Sequence, residues 1–386
     1  MNLYKALFRP FLFQMDGEQA HNWTISLCEL AGRHRMLRSL IGRPGGSDQK
    51  LSLQVAGLYL CSPVALGAGF DKNARAMNIL SRLGFGAIEI GAVSAQPCAG
   101  NAGCRAIRLV NDRSVVTRYG VPNEGATVIA PRFKRRERLI PVGVNVIWNN
   151  SGNPGASIHE IAEEIALATG QLLDGVDYAT INFACPNMKG GSHFDEIDNI
   201  RILLSKLDEL QPKLPIFIKL KHHEGDEAWL DEFLVLTSQY PWIRGFIPII
   251  HAMRDMGDAT VQGGKKLRGS VSGALIKDAS LDMICAWYRK MDRDRHALVA
   301  TGGLSSAQDV YNAIAAGASF VQIYTSMIYE GPFIARRINR GLIELMNLSG
   351  VESVAALRGS AVEGSQIGLP TKARQMINAS SPCKLT

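Results

Sequence analysis

Eight short runs rich in β-branched and apolar residues, each followed by a stretch with helical periodicity, occupy the chain from residue 64 to residue 325. Strands that alternate with helices favour βα units and a parallel sheet. Eight units can close a barrel, and 386 residues are enough for one. We therefore predict an α/β fold, a (β/α)8 TIM barrel with an N-terminal helical extension. The predicted strands are Val64–Gly69, Ala87–Val93, Pro141–Val146, Tyr178–Ala184, Ile216–Leu220, Gly245–Ile250, Ala297–Gly303 and Ser319–Thr325.

The segment before the barrel has the pattern of amphipathic helices. Apolar residues such as Phe8, Phe11 and Leu37 are set among basic residues such as Arg9 and Arg33. This charge balance is typical of helices that rest on anionic lipid. A helical lid packed on the barrel is the other interpretation, and the two are compatible. The predicted division is residues 1–48 as the extension, 49–364 as the barrel and 365–386 as a loosely ordered tail.

Composition limits the location and the metal chemistry. The chain has neither a long uncharged apolar run nor a signal-peptide pattern, so we expect a cytoplasmic protein. Seven scattered cysteines without a CxxC pair predict free thiols. The neighbouring His222 and His223 diverge on a helix or a strand, and we predict no metal site. The net charge of +7 would suit nucleic acid, an anionic membrane or an acidic small molecule, and selects none of them.

Three glycine-rich or polar turns follow the last three strands. They are Gly269–Gly273, the Gly302–Gly303 pair and the Tyr324–Thr325 pair. Backbone N–H groups at this end of such a barrel commonly hold a phosphate, so the pattern predicts a site for a mononucleotide. Tight turns without a ligand are the alternative for each glycine alone.

The end of the fourth strand carries the residues suited to chemistry. Asn182, Cys185 and Asn187 share one short loop, where amides can bind a flat heterocycle and a thiolate can remove a proton. Lys72 and Lys219 follow other strands and could stabilise negative charge on a reduced flavin. An inert buried cysteine and ordinary surface lysines are the competing interpretations.

Ordered motifs over residues 5–360 give the chain a family resemblance. It resembles the dihydroorotate dehydrogenases, specifically the membrane-associated class that uses quinone. The motifs are LFQMDGEQAH (12–21), GAGFDKN (67–73), LGFGAIEIGAV (83–93), CRAIRL (104–109), GVNV (143–146), CPN (185–187), IKL (218–220), VSG (271–273), TGG (301–303) and VQIYT (321–325).

The resemblance implies FMN at the barrel mouth and a base that removes a proton while hydride passes to flavin N5. The implied cofactor-binding residues are Ala68, Gly69, Lys72, Asn145, Asn182, Lys219, Gly273, Gly302, Gly303, Tyr324 and Thr325. Cys185 is the implied base, and the substrate positions are Lys72, Thr117, Tyr119, Asn182, Asn187, Ile250 and His251. His21 and Arg105 match positions that line the route by which quinone reaches the flavin. The N-terminal helices would then contact the cytoplasmic face of the inner membrane peripherally.

Departures from the family pattern concern the substrate. Cys185 stands where the quinone class has serine, although a thiol can remove the same proton. Thr117 replaces an expected asparagine. The polar end of the family's sixth strand reads Ile249, Ile250 and His251 here, so a second pocket amide becomes apolar. A pyrimidine facing Ile250 would lose a hydrogen bond, at a cost of about 1–3 kcal/mol. We therefore expect a related ring or an unsaturated carbonyl compound, as used in specialised metabolism, as the substrate.

Three alternatives stay open at this point. The first is a genuine dihydroorotate dehydrogenase of pyrimidine biosynthesis, in which Thr117 and His251 supply substitute contacts. The second is a tRNA dihydrouridine synthase, which also has an FMN barrel; the LFQMDGEQAH segment and the lack of an RNA-binding domain oppose it, so we expect no nucleic-acid partner. The third is a barrel that binds FMN without catalysis, against which Cys185 argues.

Overall fold

The computed structural model describes residues 3–42, 48–150, 155–184, 193–256, 261–262, 265–266 and 268–363, with the backbone alone at 261–262 and 265–266. Cys185 and Asn187 belong to the segment 185–192, which lies outside the described residues. The proposed tail 365–386 also lies outside them. The proposed division at residues 48 and 364 stays a prediction.

Eight parallel strands close into a barrel, which confirms the predicted fold class. Each strand pairs with the next one along the chain, and the eighth pairs with the first. The strands are β1 (Val64–Leu66), β2 (Ala87–Val93), β3 (Val142–Val146), β4 (Tyr178–Asn182), β5 (Ile216–Lys221), β6 (Ile243–Ile249), β7 (Ala297–Thr301) and β8 (Phe320–Ile323). Several end earlier than predicted, because the glycine and polar residues at their carboxyl ends already belong to the βα loops.

The barrel interior changes from apolar to polar toward the carboxyl ends of its strands. Alternate residues of a strand face the same side, and Tyr178, Phe217 and Phe320 form part of a buried apolar cluster. Two residues further along the strands, the polar side chains of Thr180 and Gln322 are buried. The barrel therefore has an apolar base and a polar upper layer, next to the loops where a site is expected.

Helices surround the barrel and cover its ends. The N-terminal group comprises a π-helical turn Tyr4–Phe8 followed by α1 (Arg9–Gln14), α2 (Gly17–Arg33) and α3 (Arg35–Ile41). Asp16 caps α2 by accepting from the backbone of Glu18 and Gln19. The remaining α-helices are Met77–Leu80, Ala126–Lys134, Ile158–Leu172, Ile197–Asp208, Glu227–Ser238, Lys277–Lys290, Ala307–Ala315, Thr325–Glu330, Ile334–Leu348 and Val354–Leu357; short 3₁₀ turns cover Gln49–Leu51 and Ala274–Ile276.

A four-stranded antiparallel sheet stands between the barrel mouth and the N-terminal helices. Its strands, in spatial order, are Met253–Asp255, Arg268–Gly273, Ser114–Thr117 and Ala106–Leu109. Ladders join Ser270 to Thr117 and Thr117 to Ala106. Two-stranded pairs complete the strands, Leu53–Val55 with Leu58–Leu60 and Val261–Gln262 with Lys265–Lys266.

The N-terminal helices expose many large apolar side chains. Leu7 is 63 % exposed and Leu40 is 81 % exposed, and Leu3, Phe8, Phe11, Trp23, Leu27, Leu30, Met36 and Leu37 are also exposed. The opposite side of the group is anchored: Tyr4 Oη donates to the Ile328 carbonyl at 2.7 Å. None of the helices in the described part of the chain is long and apolar enough to span a membrane.

Candidate active site

A cavity of about 360 Å³ opens at the carboxyl ends of β7, β8 and β1. We call it the mouth cavity. Polar groups of Ser272, Ser305 and Gln322 line it beside apolar Ile249. It also gathers eight of the residues proposed from the sequence, namely Ala68, Lys219, Ile250, Gly273, Gly302, Gly303, Tyr324 and Thr325.

The glycine turns of the mouth cavity depend on backbone conformations that glycine favours. Gly273 and Gly302 have φ values of 102° and 98°, in the left-handed region. A Cβ on Gly302 would lie 2.4 Å from Ser280 Oγ, so a side chain there would clash as well as strain the turn. Thr325 Oγ1 donates to Ser272 Oγ at 2.9 Å and joins two of the loops. This rim can surround a phosphate with backbone N–H groups and hydroxyls.

Asn145 and Asn182 lie beside each other on β3 and β4. Asn182 Nδ2 donates to Asn145 Oδ1 at 2.9 Å, and Asn145 Nδ2 donates to the buried Glu89 at 2.8 Å. Asn182 Oδ1 also accepts from the backbone N–H of Ala184 at 3.0 Å. The two amides are therefore held in fixed orientations at the polar end of the barrel. Gly69 lies nearby in the β1 loop, where its N–H donates to the Gly91 carbonyl at 2.7 Å.

Lys72 is placed at the inner end of the N-terminal helices. Its Nζ lies 3.0 Å from His21 Nε2 and 4.6 Å from the centre of the Tyr119 ring. Burial lowers the pKa of Lys72 to about 8, although Glu18 and Asp71 favour the ammonium. Burial and the Lys72 charge hold the pKa of His21 well below its usual value. At neutral pH the pair is therefore an ammonium that donates to a neutral imidazole.

A second and larger cavity, of about 760 Å³, lies under the N-terminal helices. We call it the helix cavity. Apolar residues from Leu3 to Leu27 form one side, and Val115, Met327 and Phe333 belong to the barrel side. His21, Thr117 and Tyr119 also line it. Such an apolar chamber suits a hydrophobic ligand.

Arg108, rather than Arg105, borders the helix cavity. The Arg108 guanidinium lies 4.8 Å from the centre of the Phe13 ring and donates to the Leu12 carbonyl at 2.9 Å and to that of Met15. Arg105 instead forms an ion pair with Glu18 and is not among the lining residues. The sequence analysis proposed Arg105 for the quinone route and did not consider Arg108, which lies three residues further along the chain.

The two cavities meet at Tyr324, whose side chain lines both of them. Burial raises the pKa of the Tyr324 hydroxyl to about 12, so it is neutral at all physiological pH values. Its ring lies 6.0 Å from that of Phe70, which also lines the helix cavity. Tyr324 thus lies between the more polar mouth cavity and the apolar helix cavity.

The residues that departed from the family pattern have different surroundings. Ile250 lines the mouth cavity, Thr117 lines the helix cavity, and His251 is exposed. His222 Nδ1 accepts from Trp287 Nε1 at 3.4 Å, and the His223 ring stacks on Trp229. Both histidines thus contact tryptophans, His222 through a hydrogen bond and His223 through stacking.

Comparisons with known proteins agree with this geometry. A family model for dihydroorotate dehydrogenase matches residues 50–346. The chain belongs to the dihydroorotate dehydrogenase family. The dihydroorotate dehydrogenase (quinone) of Natronomonas pharaonis is 33% identical over 364 residues, which cover 92% of this chain and 98% of that protein. Its counterpart in Streptomyces avermitilis is 32% identical over 374 residues, or 94% and 100% of the two chains.

Solved structures of the dihydroorotate dehydrogenase family have the same fold. The crystal structure of the Eimeria tenella enzyme in complex with ferulenol superposes with a TM-score of 0.76 at 26% identity, covering 89% of this chain and 95% of that one. A ligand-free structure of the Eimeria enzyme gives the same score and identity. Membership of this family makes the chain an FMN-dependent oxidoreductase that acts on CH–CH bonds.

The mouth cavity fits FMN in its chemistry. Two of its buried polar atoms, Gln322 Oε1 and Ser326 Oγ, have no hydrogen-bond partner among the described residues. Buried polar groups are rarely left unpaired in the absence of a ligand or water. The glycine turns supply backbone donors for a phosphate, and Lys219 supplies a positive charge. The residues present therefore match a phosphorylated, polar cofactor.

Sequence reasoning missed Glu89, Arg108 and Gln322. The sequence could have indicated Glu89, because it is the one charged residue in the apolar strand sequence AIEIGAV. A charge in a buried strand needs partners. Gln322 is a similar polar interruption in β8. Arg108 had no local signal, because its role depends on packing against helices about ninety residues earlier in the chain.

Proposed function

We propose that this chain oxidises dihydroorotate to orotate at FMN and passes the electrons to a quinone. The observation that supports this most directly is the meeting of the polar mouth cavity and the apolar helix cavity at Tyr324. A polar substrate and a hydrophobic oxidant can then reach one cofactor from separate chambers. The relatives named as quinone-type dihydroorotate dehydrogenases favour this substrate over the different one expected from Ile250 and Thr117.

Each group of site residues would have its own role in the proposed reaction. Cys185 removes a proton from the carbon beside a carbonyl of the substrate, and bound FMN supplies the hydride acceptor. Asn182 and Asn187 orient the heterocycle through their amides. Lys219 and Lys72 place positive charge where negative charge develops. The Gly273, Gly302 and Gly303 turns would hold the cofactor phosphate, with Thr325 beside them.

The helix cavity would receive the quinone. His21 and Arg108 supply polar contacts at its inner and outer parts, and its other walls are apolar. The exposed Leu7 and Phe11 lie beside basic Arg9, as expected for helices that rest on an anionic lipid surface. A hydrophobic quinone could then pass from the membrane into the cavity without crossing water.

Anaerobic addition of dihydroorotate to the FMN-loaded protein tests the proposal. Flavin absorbance should be lost with formation of one orotate per flavin reduced, and a soluble quinone should then restore the absorbance. Cys185→Ser and Cys185→Ala provide the matched comparison, because only the serine variant keeps a group that can accept the proton. Both should remain yellow, and the alanine variant should not be bleached. Wild-type protein that keeps its flavin absorbance with dihydroorotate would refute the proposed reaction.

A second candidate is oxidation of a less polar ring or unsaturated carbonyl compound. Adjacent Ile249 and Ile250 on the wall of the mouth cavity favour it, because neither offers a hydrogen bond to a pyrimidine edge. Ile250→Asn distinguishes the two candidates. If the pocket already suits dihydroorotate, the added amide should not improve KM; a tenfold lower KM for dihydroorotate would favour the less polar substrate instead.

A further inference from the structure

Glu89 is a buried acid that the proposed reaction does not use. It lies on β2 inside the barrel with 1% of its surface exposed. Three donors converge on its carboxylate: Asn145 Nδ2 at 2.8 Å on one oxygen, and Thr180 Oγ1 at 2.9 Å and Gln322 Nε2 at 2.7 Å on the other. A buried carboxylate is costly unless it is well hydrogen-bonded, so these three contacts account for its presence.

The carboxylate also fixes the direction of its neighbours. Because a carboxylate only accepts, Asn145 must turn its Nδ2 toward Glu89 and its Oδ1 away. That oxygen accepts from Asn182 Nδ2 at 2.9 Å, which leaves Asn182 Oδ1 to accept from the Ala184 N–H at 3.0 Å. A single acceptor thus sets the orientation of two amides in series, ending at the loop after β4.

Gln322 is oriented by the same carboxylate. Its Nε2 faces Glu89, so its Oε1 faces the other way. This oxygen is buried and has no partner among the described residues, while the side chain contributes to the lining of the mouth cavity. An unpaired buried acceptor next to a cofactor cavity is the natural partner of a ligand N–H or O–H.

We propose that Glu89 is a positioning residue for the cofactor site. It accepts from Asn145, Thr180 and Gln322, and thereby presents Asn145, Asn182 and Gln322 in the one orientation that suits FMN. The role of Asn145 and Asn182 as cofactor contacts rests on the proposed function. Glu89 itself would touch neither substrate nor cofactor and would act through the three amides.

The variant Glu89→Gln keeps the size of the side chain but removes its acceptor-only character. If its new NH₂ takes the place of the oxygen that faces Asn145, the Asn145 amide must reverse. Asn182 must then reverse as well, which turns its Nδ2 toward the Ala184 N–H, so that two donors face each other. If the NH₂ faces Thr180 and Gln322 instead, the hydroxyl can accept but Gln322 must reverse. At least one amide of the site is therefore misdirected in either case.

Thr180→Val is the matched control. It also removes a buried hydrogen bond to Glu89, yet it leaves the carboxylate in place, so Asn145 and Gln322 keep their directions. The measurement is the dissociation constant of FMN, from the fluorescence change when FMN is added to FMN-free protein. We expect Glu89→Gln to raise the dissociation constant of FMN about tenfold or more, and Thr180→Val to raise it less than about threefold, even if both variants lower the Tm equally.

An exchange of the amide and the carboxylate gives a rescue test. Asn145→Asp alone opposes two carboxylates across a 2.8 Å contact and should bind FMN poorly. Combined with Glu89→Gln, the new amide donates to the new carboxylate, which still accepts from Asn182, and all the directions return. The double variant should therefore bind FMN more tightly than either single variant.

Equal FMN affinity in Glu89→Gln and Thr180→Val, without rescue in the double variant, would overturn the proposal. If both single variants fail to fold, a folded double variant supports it and an unfolded one counts against it. The FMN titration needs no dihydroorotate. The titration can therefore be interpreted even if the protein does not oxidise dihydroorotate. Conversely, an unaltered FMN affinity in Glu89→Gln would not contradict the proposed reaction.

Discussion

Titration of Lys72 should make the FMN-free protein more stable as the pH rises from about 7 to 9.5. Burial lowers the pKa of this ammonium from 10.5 to about 8. Between those values the unfolded chain holds a proton that the folded chain has lost, so the free energy of unfolding increases with pH. The two pKa values differ by the equivalent of at most about 3 kcal/mol.

About 2 kcal/mol of this difference falls between pH 7 and 9.5, and partial exposure of the side chain reduces it. The assay is urea unfolding of wild type and Lys72→Met at the two pH values. Wild type should gain about 1–2 kcal/mol relative to the variant at the higher pH. Lys134→Met, at a lysine whose side chain is 58% exposed, controls for the loss of one surface charge. A wild-type-minus-variant difference that is the same at pH 7 and pH 9.5 would refute the burial argument.

Three further predictions follow from contacts of the site and its support. Arg108→Ala removes the donor to the carbonyls of Leu12 and Met15, so it should raise the KM for quinone in steady-state assays while leaving the anaerobic rate of flavin reduction nearly unchanged. Replacing Leu7 and Phe11 together by Ser should reduce sedimentation with phosphatidylglycerol vesicles, whereas Leu348→Ser, at a position 72% exposed elsewhere, should not. Gly86→Ala puts a Cβ 1.9 Å from the Ser62 carbonyl oxygen and should cost at least about 2 kcal/mol in urea unfolding; an unchanged midpoint would contradict the packing there.

The barrel could be predicted because its signal is local and repeated. Each of the eight strands carries its own β-branched run, and the order of strands in the closed sheet follows the order in the chain. The ends of the strands were predicted less accurately. Gly67, Ala68 and Gly69 were assigned to the first strand, but β1 ends at Leu66 and these residues lie in the loop that enters the site.

The four-stranded sheet at the mouth was not predicted, for a physical reason. Its central ladder joins Ser114–Thr117 to Arg268–Gly273, more than a hundred and fifty residues away in the sequence. Neither strand has a periodicity that specifies such a distant partner. This sheet decides that Thr117 lines the helix cavity while Ser270 and Ser272 line the mouth cavity. The position of Thr117 is therefore set by the pairing of its strand with Arg268–Gly273, which local sequence pattern does not indicate.

The arrangement of the two cavities constrains how an enzyme of this kind can work. Dihydroorotate is a polar anion, and a membrane quinone is hydrophobic, so one chamber cannot favour both. Here Lys219 of β5 and Gln322 of β8 contribute polar groups to the mouth cavity, and apolar residues of α1 and α2 line the helix cavity. Tyr324 lines both cavities and lies at the boundary between them. A cofactor held where the two cavities meet would reach both partners without movement of the barrel.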